Sequence, residues 1–106
     1  MKQFFLPTAA GTLLLSLALT GCGKKPEACF TIEKGIPSSK INETVEVNAG
    51  CSTEATSFVW EWGDGASDTG IKTNHKYNAA GTFTIKLTAK NDDNSATTTK
   101  QVTIVQ

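Results

Sequence analysis

The sequence has few of the residues that chemistry usually needs. It contains one histidine, one tyrosine and one methionine in 106 residues, and its ten basic and ten acidic side chains cancel. A hydrolytic triad would require the lone His75 beside an activated nucleophile. Ser67 stands in Gly65-Ala66-Ser67-Asp68, which is not a nucleophile elbow. There is no HExxH pair, no Walker loop and no dinucleotide-binding glycine pattern. The lack of net charge removes the electrostatic case for nucleic acid or for a polybasic membrane patch. No internal repeat occurs, and no low-complexity tract beyond Thr97-Thr98-Thr99. The expectation is a small, non-catalytic chain that needs no cofactor and no metal.

The first residues read as a targeting segment. Met1-Lys2-Gln3 carries one positive charge, and an uncharged, mostly apolar run follows from Phe4 to Leu19. That run falls short of the roughly 20 residues a helix needs to cross the hydrocarbon core. A basic start, a short apolar middle and small residues after it describe a secretory signal. Its end, Leu19-Thr20-Gly21-Cys22, resembles the lipobox of bacterial lipoproteins. The resemblance implies cleavage before Cys22, a diacylglycerol on its thiol, and a mature chain held at the cell envelope by lipid alone. An ordinary signal peptide that ends near a cysteine is the alternative. Loss of residues 1–21 removes Lys2 and no acid, leaving nine lysines against ten acids. Lys24-Lys25 would add only about 1 kcal/mol each toward anionic headgroups. Gly23 stands where enteric bacteria place an inner-membrane retention Asp, which favours the outer membrane. Residues 22–27 then form the lipidated end and a polar tether, reaching about 20 Å or less at ~3.5 Å per residue.

From residue 28 to 106 the pattern is β. Ala28, Phe30 and Ile32 alternate onto one face; so do Val45, Val47 and Ala49, then Phe58, Trp60 and Trp62. Ile71 to Tyr77 is a shorter, poorer strand. Phe83, Ile85, Leu87 and Ala89 define the cleanest one, and the last ends in Val102, Thr103 and Ile104. Gly63-Asp64-Gly65 and Asn91-Asp92-Asp93-Asn94 are turn clusters, and acidic residues are expected in turns. Six or seven short strands, each with one apolar face, predict an antiparallel sandwich. So small a domain buries one modest core. With Cys22 used by lipid, Cys29 and Cys51 form an even pair in an oxidising compartment, so a disulfide between the first two strands is expected; two free buried thiols are the alternative. Cys29 has the opposite parity to Phe30 and Ile32, whereas Cys51 continues the parity of Val45, Val47 and Ala49. The bridge therefore requires Cys51 to lie past its strand, for which Gly50 gives room.

Two stretches carry a family resemblance. Trp60-Glu61-Trp62-Gly63-Asp64-Gly65 resembles the W-D-F-G-D-G signature of PKD (polycystic kidney disease) domains. His75-Lys76-Tyr77 with Gly81-Thr82-Phe83-Thr84-Ile85-Lys86-Leu87 resembles that family's H-x-Y-x-x-x-G-x-Y-x-V-x-L segment. The departures, Glu61 for Asp, Trp62 for Phe, Phe83 for Tyr and Ile85 for Val, are conservative. The resemblance implies an all-β, immunoglobulin-like sandwich that serves as a binding or spacer module and is not catalytic.

Each conspicuous residue also has a plain structural reading. An EF-hand loop starting at Asp64 would need a bidentate Glu at its twelfth position, where His75 stands. A looser calcium site with Asp68, or with Asp92, Asp93 or Asn94, is the residual metal reading; Asp64 as an acceptor for turn amides is the simpler one. Trp60 and Trp62 suggest sugar stacking, but their parity with Phe58 points both inward. His75 is expected to pack or hydrogen-bond near the turn, and Tyr77 to be a core or corner tyrosine. The functional expectation is a monomeric, lipid-anchored module that binds an envelope protein or glycan. The alternative is an accessory lipoprotein docked on a larger envelope complex, or an enzyme inhibitor there.

Overall fold

A computed structural model describes residues 24–106 of the protein; the segment expected to be a signal, residues 1–21, and Cys22 lie outside the described residues. Eight strands and no helix occur among the described residues: β1 (Thr31–Lys34), β2 (Ser39–Lys40), β3 (Thr44–Asn48), β4 (Ser57–Glu61), β5 (Ser67–Thr69), β6 (Lys72–Lys76), β7 (Gly81–Lys90) and β8 (Ser95–Val105). They form a three-stranded sheet in the order β1-β3-β6 and a five-stranded sheet in the order β2-β8-β7-β4-β5.

Two of these strands are not visible as periodic runs. β2 is two residues long and runs parallel to the end of β8, pairing Ser39 with Ile104 and Lys40 with Val105. It is the one parallel pairing among the described residues, in a sandwich expected to be antiparallel. β5 is the polar tripeptide Ser67-Asp68-Thr69 on the edge of β4. The expected strand from Ile71 begins at Lys72 instead, because Ile71, 51 % exposed, lies where the chain crosses from one sheet to the other.

Face parity places the core. Phe30, Ile32, Val45, Val47, Ala49 and Tyr77 meet Trp60, Trp62, Ile85, Leu87, Val102 and Ile104 in one buried cluster. Alternate residues point to opposite faces of a strand, so the Thr, Lys and Glu partners of these residues are left on the outer surfaces. Phe58 and Phe83 share the inward parity but are only half-buried, at the margin of that cluster.

The registers define two poles. Ser57 pairs with Lys90, and Thr31 with Asn48, at one end. That lower pole therefore carries the β3–β4 turn and the Asn91–Asn94 turn. At the other end Thr44 pairs with Lys76, and the Asn42 amide donates to the Tyr77 carbonyl at 2.8 Å. The Gly63-Asp64-Gly65 turn follows β4 to the same upper pole.

The segment before β1 is part of this frame. The Glu27 and Thr53 backbones exchange hydrogen bonds of 3.0 and 3.1 Å. The Ser52 hydroxyl accepts from the Cys29 amide at 2.9 Å and donates to the Cys29 carbonyl at 2.7 Å, standing in for a ladder partner. Cys29 and Cys51 form a disulfide with Cα atoms 5.3 Å apart. Cys51 lies in the turn beyond β3, closed by the Ser52 amide on the Ala49 carbonyl, which resolves the parity conflict. The bridge thus links the segment entering β1 to the turn leaving β3, with β2 intervening in the sequence. Residues Lys24 to Glu27, read as part of a short polar tether, are tied to the domain. Pro26 is buried, and the Asn91 amide donates to the Lys24 carbonyl at 2.7 Å.

Candidate functional site

The upper pole is organised by a column of rings. Trp60 and Trp62 are both fully buried. The Trp62 ring stacks on His75 with centroids 4.8 Å apart and planes at 18°, and Tyr77 meets His75 edge-on at 4.8 Å. Phe83 stacks on Tyr77 at 4.4 Å. Aromatic pairs in such offset or edge-on arrangements add about 0.5–1.5 kcal/mol beyond burial. Because both indoles lie inside, neither offers a platform for sugar stacking.

The two indole nitrogens and the tyrosine hydroxyl of the column each have a partner. The Trp60 Nε1 donates to the Gly70 carbonyl at 2.7 Å, and the Trp62 Nε1 to Asp68 Oδ2 at 2.9 Å. Asp68, grouped with the turn on sequence grounds and weighed as a metal ligand, is a strand residue whose carboxylate accepts an indole proton. The Tyr77 hydroxyl donates to the Trp62 carbonyl at 2.6 Å, a buried link from the end of β6 to the end of β4. Burial pushes the Tyr77 phenol well above the usual tyrosine range, and the Asp64 charge adds to that. It remains a donor at any physiological pH.

Asp64 holds the turn from two sides. Its Oδ1 accepts from the Ala66 amide at 3.1 Å, and its Oδ2 lies 2.7 Å from His75 Nε2. An ionised carboxylate only accepts, so Nε2 carries the hydrogen of that contact. Partial burial opposes ionisation, but the hydrogen bonds from His75 and the Ala66 amide outweigh it and hold the Asp64 carboxyl below its ordinary value. Gly63, at φ +89°, is required here: a Cβ would meet the Thr84 carbonyl oxygen at 2.7 Å. The Asp–His pair is not two-thirds of a hydrolytic triad. Ser67 lines the outer face of the five-stranded sheet, whereas the His75 ring lies against buried Trp62. Gly65 and Gly81 complete the motif positions, both with positive φ and both exposed at this pole.

Asp64→Ala is expected to destabilise the domain by about 1–2 kcal/mol through the two lost hydrogen bonds, equally in excess calcium and in EDTA. A melting temperature of the wild type that rises with calcium, with the rise lost in the variant, would reassign Asp64 as a ligand. Because the folded-state carboxyl titrates below its ordinary value of 3.8, its contribution is complete above that pH and is lost as the pH falls through the lower, folded value. The difference between variant and wild type should therefore shrink in that acid range.

The outer face of the five-stranded sheet carries a shallow depression of about 730 Å³ floored by Val59, Glu61, Thr84, Lys86 and Thr99, with Gly65 on its rim. Glu61 and Lys86 stand side by side across β4 and β7, 3.9 Å apart and half-exposed. The depression therefore presents hydroxyls and a self-compensated charge pair. Among the described residues no group of three or more His, Cys, Asp or Glu side chains is placed to hold a metal ion.

The two sheets, the Trp–His–Tyr column and the buried Tyr77–Trp62 link define an immunoglobulin-like β-sandwich domain. Residues 30–104 match the model of the PKD domain, and the chain belongs to that family. Solved structures agree on the fold. The PKD1 domain of Vibrio anguillarum Epp is similar with a TM-score of 0.65 at 23 % identity, covering 78 % of this chain and 96 % of that one. The PKD1 domain of the Vibrio cholerae metalloprotease PrtV gives 0.63 at 21 % identity, covering 78 % and 100 %. A structure of carbohydrate-binding modules of promiscuous specificity, from the β-sandwich superfamily, gives 0.71 at 26 % identity over 79 % of this chain. This chain spans only 36 % of that structure's length. No curated protein matches the sequence significantly.

Proposed function

We propose that the mature protein is a lipid-anchored binding module of the bacterial cell envelope, held by lipid on Cys22 and engaging an envelope glycan or protein without catalysis. The observation that carries the binding reading is the likeness to carbohydrate-binding modules, joined to a shallow, largely apolar outer depression in which the Ser67, Thr84 and Thr99 hydroxyls and the Glu61–Lys86 pair offer donors and acceptors. A largely apolar floor with a few hydroxyls suits a sugar, whose ring faces are apolar and whose edges carry hydroxyls. The lipid reading rests on Leu19-Thr20-Gly21-Cys22, and Gly23 after it favours the outer membrane.

Binding is tested by crosslinking in intact cells with identification of the captured partner, and by sedimenting the purified chain with cell-wall polysaccharide. A permanently docked accessory subunit would instead co-purify with one complex at stoichiometric level after detergent extraction. Anchoring is tested with a palmitate analogue: wild-type cells are expected to label the protein, and Cys22→Ser to abolish the label and leave an uncleaved or mislocalised precursor. Equal incorporation in both would refute the anchor.

A further inference from the structure

The lower pole of the domain is tied to its own N-terminal segment at Lys24, Pro26, Glu27 and Cys29. The Asn91 side-chain amide donates to the Lys24 carbonyl at 2.7 Å and to the Glu54 carbonyl at 2.9 Å, joining that segment to the β3–β4 turn. Asn91 Oδ1 meanwhile accepts from the Asp93 and Asn94 amides at 3.0 and 2.9 Å, so the same side chain shapes the β7–β8 turn. Pro26 is buried, Glu27 is bridged to Thr53, and Cys29 is bonded covalently to Cys51. A segment fixed by backbone pairing, side-chain amide and disulfide has no freedom to act as a spacer.

We infer that the domain sits on the lipid headgroup layer by this lower pole, with the β3–β4 and Asn91–Asn94 turns against the membrane and the Asp64–His75 pole directed away from it. The inference rests on the lipid-anchor reading of Cys22. If the lipid is on Cys22, only Gly23 separates it from the first tied residue. Two residues span about 7 Å at full extension, too little for the domain to turn over. The seating comes from the tether and not from charge. Exposed Lys24 and Lys25 share this pole with exposed Glu54, Asp92 and Asp93, so the surface is mixed in sign. The partner of this surface is thus a phospholipid headgroup layer of any charge. A binding partner reaches the protein through the upper pole or the flank of the five-stranded sheet. β7, 10 residues long, sets the upper pole about 30 Å from the lower at ~3.3 Å per residue.

The test uses the mature chain purified from membranes and placed in phosphatidylcholine nanodiscs containing a gadolinium-chelate headgroup lipid. Amide resonances of Thr53, Glu54, Asp92 and Asp93 should broaden roughly tenfold or more beyond those of Gly63, Asp64, Gly65 and Gly81, given the separation of the poles. The gradient should be the same in low and high salt. Inserting about ten Gly/Ser residues between Gly23 and Lys24, a flexible coil, leaves every tie intact and should reduce the gradient severalfold. A uniform or reversed pattern, or a gradient that the insertion leaves unchanged, overturns the proposal. Intact mass reports the anchor separately. A chain without acyl mass refutes lipidation, and coupling its Cys22 thiol to a maleimide lipid then still reads the seating.

Discussion

Trp60→Ala is expected to remove about 3–5 kcal/mol, the usual cost of truncating a buried tryptophan. A domain of roughly 80 residues has a total stability of only about 4–12 kcal/mol at 0.05–0.15 kcal/mol per residue, so the loss is a large fraction of the whole. The ring is fully buried, meets Phe30 edge-on at 5.1 Å, and packs beside Trp62 at 6.2 Å. Phe30 precedes β1 and Trp60 is on β4, so the contact joins the two sheets. Removing it opens a void where side chains from both sheets converge. Trp60→Phe separates ring from proton: it keeps most of the packing but leaves the Gly70 carbonyl without its 2.7 Å donor. That milder change should cost about 1–3 kcal/mol. Urea unfolding followed by circular dichroism measures both. The midpoint should move with the slope unchanged if native packing alone is affected. A loss under about 1 kcal/mol for the alanine variant would mean the core collapses around the gap, contrary to the rigid two-sheet frame.

Which face of each strand is buried could be read from sequence because parity is a local property. Val45, Val47, Ala49, Trp60, Ile85, Leu87 and Ala89 alternate with polar residues, and all are buried as that alternation requires. β2 and β5 were not readable for the same reason. A two-residue strand has no period, and Ser67-Asp68-Thr69 has no apolar face to display. Both are edge strands held by backbone pairing, which leaves little mark on side-chain choice. Phe58 and Phe83 show the limit of parity from the other side: the face is right, but depth depends on how far the opposing sheet extends.

The motif residues could be found from spacing, but their partners could not. Trp62, Asp64, His75 and Tyr77 stand out in the sequence, and the structure brings them together around one turn through hydrogen bonds and ring contacts. Asp68 gave only an acidic signal, and its work as acceptor for the Trp62 indole depends on the β4–β5 register. Asn91 looked like one more turn residue. Its reach to Lys24, 67 positions earlier, is a long-range contact no local pattern encodes. Ser52 likewise gives no signal, though its hydroxyl holds the Cys29 backbone beside the disulfide.

Opening the Cys29–Cys51 bridge is expected to cost about 3 kcal/mol, the chain-entropy value for a loop of this length. The cysteines are 22 positions apart and close a loop that contains β1, β2 and β3. The effect acts on the unfolded chain, which gains freedom when the link is cut. The Glu27–Thr53 bridge and the Ser52 hydrogen bonds cannot substitute for it, because they vanish on unfolding. The double variant Cys29→Ser, Cys51→Ser should therefore keep the native fold and core yet melt roughly 12–24 °C lower, at about 4–8 °C per kcal/mol for a domain this small. Reduced wild type should melt with the variant, and oxidised wild type well above both. Calorimetry on the three forms, each at equal concentration, makes the comparison. If reduced and oxidised protein melt together, the bridge contributes nothing to stability. Two free thiols in protein isolated from its native cells under non-reducing conditions would mean that the pair is not joined in the cell.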